Sequence, residues 1–498
     1  MQKITPGQRH PLHGVSPTRR IEQSAAAQLS PHTLMQRAGL AVARLALAIA
    51  PHAQRIWIAC GPGNNGGDGL EAAVHLKMWG KQPIVTWLGS PASASEDTSA
   101  AYQRLLEADL SVEAAPSGNF DLCIDALLGI GSQLREPQGQ MADWICQINA
   151  SAVPVLAIDC PTGLYADTGQ TTALHVKASH TLSLLTLKPG LLTAQGRDAA
   201  GSVWLDALGL ESGVLTELAP TAYLNPAPTD VARLHASHKG SYGDVAVIGG
   251  ASGMTGAALL AARAALHAGA GRVFVGLLDD SALTVDVQQP ELMFRPVKSL
   301  DFSAMTVVCG CGGGQTVRAV LYAILSSSAR VVLDADALNE IAFASDLQAA
   351  LTARAVRQAV TVLTPHPLEA ARLLAVTATQ VQTDRLAAAQ TLARRFACTV
   401  VLKGSGSVIT SPGQTPVINP TGNGRLATPG TGDVLAGWVG AQLAAGQTAF
   451  HAACRAVYWH GALADAWPPG AALTAGRLAR GRALQPAPIL SVQPLFTI

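Results

Sequence analysis

Residues 419–437 read NPTGNGRLATPGTGDVLAG. Within them Gly430-Thr431-Gly432-Asp433 stands before an apolar run, Val434, Leu435, Trp438, Val439 and Leu443, spaced as one face of a helix. A glycine loop that opens a helix presents unpaired backbone N–H groups at the positive end of the helix dipole, which suits a phosphate in transfer. A carboxylate in the first turn beside such an anion hole can take the proton of a substrate hydroxyl as that hydroxyl attacks a phosphoryl group. An aspartate at a helix start also serves as a plain cap or dipole partner. Gly422, Gly424, Gly430 and Gly432, with Asp433 as the stretch's sole acid, favour the ligand reading, since a glycine in a regular element costs about 1 kcal/mol.

A second constellation is Gly61-Pro62-Gly63-Asn64-Asn65-Gly66-Gly67-Asp68-Gly69, which follows the apolar stretch Arg55 to Cys60 and formally satisfies GxGxxG. The acid that a dinucleotide fold places about 20 positions later is missing, because Leu88 is followed by Gly89 and Ser90. Asn64, Asn65 and Asp68 instead add amides and a carboxylate that can hold a phosphate, a ribose or a carboxamide. Asn65 with Asp125 can offer oxygen ligands to a hard cation. Asp125 and Asp159 each end an apolar strand, where loop capping competes with chemistry. Asp159 is followed by the turn Cys160-Pro161-Thr162-Gly163, which makes it the candidate acid/base. Further along, His366 is bracketed by Pro365 and Pro367. Lys403-Gly404-Ser405-Gly406-Ser407 follows a buried strand and suits a nucleotide phosphate, although a hairpin turn explains its glycines equally.

Elements that position these residues alternate. A helix opening at Thr33 and running to about Ala50 precedes strands at Arg55 to Cys60, Ile84 to Leu88, Leu122 to Ala126, Val155 to Asp159, Thr181 to Leu187 and Ser202 to Leu205, with helices at Leu70 to Trp79 and between the strands ending at Ala126 and beginning at Val155. From Leu210 to Asp230 the pattern loosens into Pro-containing sequence. A second alternating series then runs from Asp244 into the 419–437 stretch and a last helix around Ala452 to Trp467. The reading is α/β: two doubly wound domains, 1–218 and 226–498, with ligands beyond the carboxyl ends of parallel strands. At 498 residues and 49% apolar content, the chain can fill two such cores. A net charge of +1 without a basic block argues against nucleic acid. No apolar h-region opens the sequence, and no run of about 18 apolar residues escapes charge, so neither signal peptide nor membrane span is expected. Eight cysteines without CxxC read as buried thiols of a reducing cytosol.

These motifs resemble a known pair of families. Leu34 to Gly39, the loop at 61–69, Asp125 to Gly131 and Asp159 to Gly163 resemble the NAD(P)H-hydrate epimerases, which have a Rossmann-like three-layer sandwich. His238 to Gly243, Thr364 to Pro367, Lys403 to Ser407 and Asn419 to Gly437 are similar to the ADP-dependent NAD(P)H-hydrate dehydratases of the ribokinase-like superfamily. The resemblance implies a substrate in which water has added to the reduced nicotinamide ring. One domain would interconvert its R and S epimers, and the other would phosphorylate the S epimer from ADP and expel phosphate to restore NADH or NADPH. It implies substrate contacts at Asn64, Asn65, Gly66, Gly67, Asp68, Gly129, Ile130, Gly131, Ser132, Gln133, Leu134, Arg135 and Asp159, and K⁺ on Asn65, Asp125 and Thr162. It places AMP on Lys403, Gly404, Ser405, Gly406, Ser407 and Gly432, and the hydrated nucleotide on Ala257, Gly312, His366 and Asp433, with Asp433 as base. It also implies Mg²⁺ for the dehydratase, small-molecule partners only, a homo-oligomer and a cytoplasmic location. Thr162 stands where the family usually has serine, Leu368 where it has glycine, and Gly310-Cys311-Gly312-Gly313-Gly314 where it has GPGLG.

Two other readings compete. An ordinary ribokinase-like kinase of a vitamin precursor would leave a stable phosphorylated product and use the first domain only to bind a nucleotide. A sensing or scaffold protein would tolerate loss of Asp433.

Overall fold

In the strand Arg55–Cys60 alternate side chains go to opposite faces. Ile56, Ile58 and Cys60 join Val42, Leu45 and Leu70 on one side, and Trp57 and Ala59 join Trp144, Ile145 and Ile148 on the other. A strand apolar on both faces must lie inside a sheet covered twice, which is the layered arrangement expected of parallel strands. The computed structural model describes residues 1–131, 135–210, 218–229, 233–279 and 283–481.

The first sheet has eight strands in the order Gln2–Lys3, Ser202–Asp206, His180–Leu184, Val155–Ile158, Leu122–Ala126, Arg55–Cys60, Gln82–Trp87 and Val112–Glu113. All are parallel except Gln2–Lys3. The chain winds outward from Arg55–Cys60 in one direction and then returns to wind the other way from Leu122–Ala126. The crevice between those two strands is therefore the switch point, where ligands of such sheets lodge.

The helix expected from Leu70 begins earlier, as Asn64–Met78, so the glycine run is its first turns and not a free loop. Packing is the reason. A Cβ on Gly66 would lie 2.0 Å from the Gly61 carbonyl oxygen, on Gly67 2.5 Å from Met35 Cε, and on Gly69 2.6 Å from Ala126 Cβ.

The second sheet has eleven strands. Met293–Phe294, Arg272–Leu277, Asp244–Gly249, Thr306–Cys309, Arg330–Leu333, Val360–Leu363 and Thr399–Leu402 run parallel, and its switch point lies between Asp244–Gly249 and Thr306–Cys309. Val408–Thr410 and Val417–Ile418 turn back in antiparallel ladders, followed by Ala222–Leu224 and, at the edge, Pro11–Leu12. A strand from the beginning of the chain thus completes the second sheet.

The helix carrying the GTGD motif, Thr431–Ala444, is buried along its whole length after Asp433, not on one face as its sequence spacing indicates. It lies against the sheet and between the helices Thr255–His267, Ala449–Asp465 and Ala475–Arg480, which share its core. Gly437 and Gly440 make that burial possible, since a Cβ on Gly437 would stand 2.1 Å from the Ala261 carbonyl oxygen and one on Gly440 2.4 Å from Val308 Cγ2. Gly437→Ala must push backbone against backbone. We expect it to lower unfolding stability by about 1–3 kcal/mol in urea titration, despite the better helix propensity of alanine.

Candidate active sites

Asp125 and Thr162 come from neighbouring strand ends of the first sheet. Asp125 is wholly buried. Its Oδ1 accepts from Thr162 Oγ1 at 2.7 Å and from the Leu127 N–H at 3.2 Å, and its Oδ2 accepts from the Thr162 N–H at 2.8 Å. Burial pushes its carboxyl up to about 6 against the pull of these hydrogen bonds. No cationic side chain pairs with it among the described residues. Asn65 lies against Gly129, its Oδ1 3.1 Å from where a Cβ on that glycine would stand, and among the described residues its buried Nδ2 has no hydrogen-bond partner.

Asp159 sits just past the end of Val155–Ile158 in a left-handed conformation, with φ 65°. Its Oδ1 is paired with the ammonium of Lys188, which is fully buried and also donates to the Leu184 carbonyl at 2.7 Å. The Leu184 and Ile130 N–H groups reach its two oxygens at 3.3 and 3.4 Å. A cavity of 680 Å³ opens over this pair, and Glu22, Asn64, Asn65, Asp68, Gly129, Ile130 and Gly131 face it with Asp159 and Lys188. Burial raises the carboxyls of Asp68 and Glu22, and in both the charge of Asp159 adds to the effect.

The structure therefore gathers Asn64, Asn65, Asp68, Gly129 to Gly131 and Asp159 around one cavity, while Gly66 and Gly67 are buried in helix packing. Arg135 is exposed and not among the residues lining the cavity, and Ser132, Gln133 and Leu134 lie outside the described residues. Lys188 and Glu22 were not foreseen. Lys188 directly follows the apolar stretch Thr181 to Leu187, as Lys403 follows Thr399 to Leu402, and that signal could have found it.

The second site stands at the carboxyl edge of the second sheet. Asp334 follows Arg330–Leu333, Thr364 follows Val360–Leu363, and Lys403 follows Thr399–Leu402, so three consecutive strands deliver them side by side. Lys403 Nζ lies 2.6 Å from Asp334 Oδ1 and 3.9 Å from Glu369 Oε2, and Thr364 Oγ1 donates to Asp334 Oδ1 at 2.8 Å. Burial works to lower the Lys403 ammonium, but Asp334 and Glu369 outweigh it and hold it raised. His366 caps the helix Pro367–Leu374. Its Nδ1 accepts from the Leu368 and Glu369 N–H groups at 3.1 and 3.2 Å, and its Nε2 lies 3.2 Å from Glu369 Oε1. Burial brings Glu369 up to about 7, opposed by Lys403.

Asp433 is held across from this cluster by the first turn of Thr431–Ala444. Its carboxylate, that of Asp334 and Cys311 Sγ all lie within 4.8 Å of one another. Burial first, then the charge of Asp334, push Asp433 up to about 7. Gly430 has φ 88°, and a Cβ on Gly432 would be 3.3 Å from Lys403 Nζ, so the glycine leaves room beside the lysine. Among the described residues nothing accepts from the backbone N–H of Gly432 or Asp433, whereas that of Thr431 is taken by Thr428 O at 3.3 Å. Gly430, Gly432 and Asp433 are thus the residues of the GTGD motif whose N–H groups have no acceptor among the described residues. Gly312 packs on Ala257, with a Cβ there 2.8 Å from that of Ala257, so both adjoin Cys311.

Lys403 to Ser407 is the tip of the hairpin formed by Thr399–Leu402 and Val408–Thr410. Asp334, Glu369 and Cys311 were missed in the sequence. Asp334 carried the same mark as Asp125 and Asp159, a carboxylate ending an apolar strand.

A family profile described as YjeF-related protein N-terminus matches residues 31–190, and one described as NAD(P)H-hydrate dehydratase matches residues 245–480. The bifunctional NAD(P)H-hydrate repair enzyme Nnr of Escherichia coli (strain K12) is 35% identical over 463 residues, covering 90% of this chain and 88% of that protein. An ADP-dependent (S)-NAD(P)H-hydrate dehydratase of Neisseria meningitidis is 44% identical over 255 residues, 50% of this chain and 85% of that protein. Among solved structures, the ADP/ATP-dependent NAD(P)H-hydrate dehydratase of Bacillus subtilis co-crystallised with ATP/Mg²⁺ is 30% identical, covers 51% of this chain and 92% of that one, and has a TM-score of 0.44.

Lys188→Met leaves the Asp159 carboxylate inside the protein without its counter-charge. Unfolding free energy should fall by about 3–5 kcal/mol, and the double variant Lys188→Met/Asp159→Asn should recover much of the loss in the same denaturant titration.

Proposed function

The chain belongs to the bifunctional NAD(P)H-hydrate repair enzymes, and we propose that its two sites divide the work, with residues 1–218 epimerising the hydrated nicotinamide and residues 226–498 dehydrating it. The enzyme interconverts R and S hydrates of NADH and NADPH and dehydrates the S form with ADP, giving NAD(P)H, AMP and phosphate. The observation that carries the assignment of residues is the presence of two separate carboxylates, buried Asp159 beside Lys188 and half-buried Asp433 beside Asp334 and Lys403.

In the first site the hydrated carbon carries both a hydroxyl and the ring nitrogen. It changes configuration when one of those bonds breaks and re-forms from the other face, and either route moves a proton at the hydroxyl. Asp159, paired with Lys188, is the group proposed to take and return that proton, with the cavity wall of Asn64, Asn65, Asp68 and Gly129 to Gly131 holding the nucleotide.

A potassium ion fits the neighbouring residues. Among the described residues Asp125 is buried without a cationic partner, Thr162 brings a hydroxyl oxygen to it, and the Asn65 Nδ2 is buried without a hydrogen-bond partner. The ion would supply the missing positive charge at that strand end.

In the second site, hydroxide is a poor leaving group and phosphate a good one. Asp433 takes the proton of the substrate hydroxyl while its oxygen attacks the terminal phosphoryl of ADP, and AMP departs. The Gly432 and Asp433 N–H groups and the Lys403 ammonium receive the transferred charge. A well-placed donor of this kind is worth roughly 3 kcal/mol. The ring nitrogen's lone pair then expels phosphate, leaving an iminium, and loss of a proton from the adjacent ring carbon to the departing phosphate restores the carbon–carbon double bond. Ala257, Gly312 and His366 are proposed to line the hydrated nucleotide, and Lys403 to Ser407 the AMP portion. Mg²⁺ is proposed to arrive on the nucleotide phosphates. The cluster of Cys311, Asp334 and Asp433 holds a soft sulfur and a carboxylate already engaged by Lys403, which is a poor cage for a hard cation.

Among the described residues no helix is long and apolar enough to cross a membrane. Six of the eight free cysteines are buried, Cys146 is exposed and Cys454 half-buried, which accords with the proposed cytosolic location. A homo-oligomer is proposed through the exposed Tyr322 and Val356 on neighbouring helices and Phe343 just past the helix Ala335–Ala342.

Asp433→Asn should reduce dehydration by about 10²–10⁴-fold, the usual worth of a positioned base, and leave epimerisation intact. Loss of both activities in a folded variant would speak against separate sites. Because Asp433 acts ionised, the dehydration rate should climb with pH to a plateau through about 7. Asp334→Asn removes a negative neighbour and should move that limb to lower pH; a limb that stays in place would remove Asp433 as the titrating base. For the first site, adding K⁺ to protein freed of monovalent cations should raise the Tm of the wild type and not of Asp125→Asn.

A further inference from the structure

Only Pro189–Leu192 separates Lys188, the partner of Asp159, from a residue that touches the second site. Thr193, fully buried, places its Oγ1 3.2 Å from the Ser405 carbonyl oxygen and 3.1 Å from that of Gly406. The next residue adds two bonds to the same hairpin tip: the Ala194 N–H donates to Ser405 O at 3.1 Å, and Ser405 Oγ donates to Ala194 O at 2.8 Å. Behind them the buried Arg385 donates from Nε to Thr193 Oγ1 at 3.2 Å and from its guanidinium to the Leu402 and Lys403 carbonyls at 3.2 and 3.1 Å. Contact is close enough that a Cβ on Gly406 would lie 2.1 Å from Leu192 O. Four residues on, Arg197 donates to the carbonyls of Pro420 and Gly422, at 3.1 and 2.8 Å, in the other loop of the second site.

The geometry of the peptide unit gives these contacts a direction. In a planar trans peptide the carbonyl of one residue and the N–H of the next point opposite ways. Anchoring the Ser405 and Gly406 carbonyls on the first half therefore turns the N–H groups of Gly406 and Ser407 away from it. Among the described residues nothing accepts from either of them. Two aligned free donors beside a glycine in the left-handed region, Gly406 with φ 60°, form the kind of backbone concavity that takes an anion.

We propose that Thr193 is a positioning residue for the dehydration reaction: from the epimerase half it sets the peptide planes of Lys403 to Ser407 so that their N–H groups meet the ADP. The proposal rests on the reading of that hairpin tip as the nucleotide loop. It makes the ADP site of this chain a composite of both halves, with Thr193, Ala194 and Arg197 as the first half's share.

The test is steady-state dehydration of S-hydrated NADH at saturation with ADP varied. Thr193→Val should raise the KM for ADP about 3- to 10-fold, the range of one net hydrogen bond. The kcat, the KM for the hydrated nucleotide and the epimerisation rate should stay unchanged, and Thr193→Ser should restore the ADP KM. An unchanged ADP KM in Thr193→Val, with Lys403→Ala raising it in the same assay, would overturn the positioning role while sparing the nucleotide reading. An ADP KM that neither variant moves would remove that reading, and the proposal with it. If the valine variant does not fold, hydrogen exchange of the wild type decides. ADP should slow exchange at Ala194 together with Gly406 and Ser407, and protection confined to 403–407 would overturn the proposal.

Discussion

A carboxylate at the end of a buried parallel strand is expensive to keep ionised, because the sheet is covered on both faces and water is excluded. The molecule meets this constraint twice with the same solution, a buried lysine ammonium against a strand-end aspartate: Lys188 on Asp159 in the first sheet and Lys403 on Asp334 in the second. Pairing offsets desolvation only when geometry and further hydrogen bonds are good. Both pairs have them, through the Leu184 and Ile130 N–H groups in one case and the Thr364 hydroxyl in the other. The carboxylates left without a lysine of their own behave differently. Asp433 is brought up to about 7 and Asp125 to about 6, which leaves them ready for a proton in one case and open to a cation in the other.

The sequence made some of this legible. Asp125, Asp159 and Asp433 could be placed because each is a lone acid bordering an apolar segment, and local pattern alone locates such a residue. The two-domain α/β organisation followed from the same alternation. What remained hidden depends on contacts distant in the chain. Lys188 acquires its meaning from Asp159 on a neighbouring strand, and Glu22 faces the cavity from the helix Val15–Ala26, whose sequence shows no chemical motif. The glycines at 67 and 69 look like part of a phosphate loop in the sequence and serve packing in the fold, because Met35 and Ala126 press on them from elements that local reading cannot bring near. The burial of Thr431–Ala444 on all sides was invisible for the same reason, since the helices that cover its outer face come before and after it in the chain.

The two halves meet along a seam that is more than surface contact. The segment 188–197 begins at the Asp159 partner and ends at the loop beginning Asn419-Pro420, while Asn225 Nδ2 donates to Asn419 Oδ1 at 3.0 Å from the other side. Residues of one functional region thus become the wall of the other. Local stability in such a seam belongs to neither half separately.

Pro11–Leu12 closes the second sheet although it is connected to the first. In the order of synthesis these residues are made early, yet their partner strand Ala222–Leu224 leans in turn on Val417–Ile418, which is made near the end. The ladder is therefore of high contact order, joining segments about 200 residues apart and tying both halves together. It also binds the chain to its own covalent continuity: a gene divided between the halves would yield a second product with a bare strand edge, the kind of surface on which chains pair with their neighbours and aggregate.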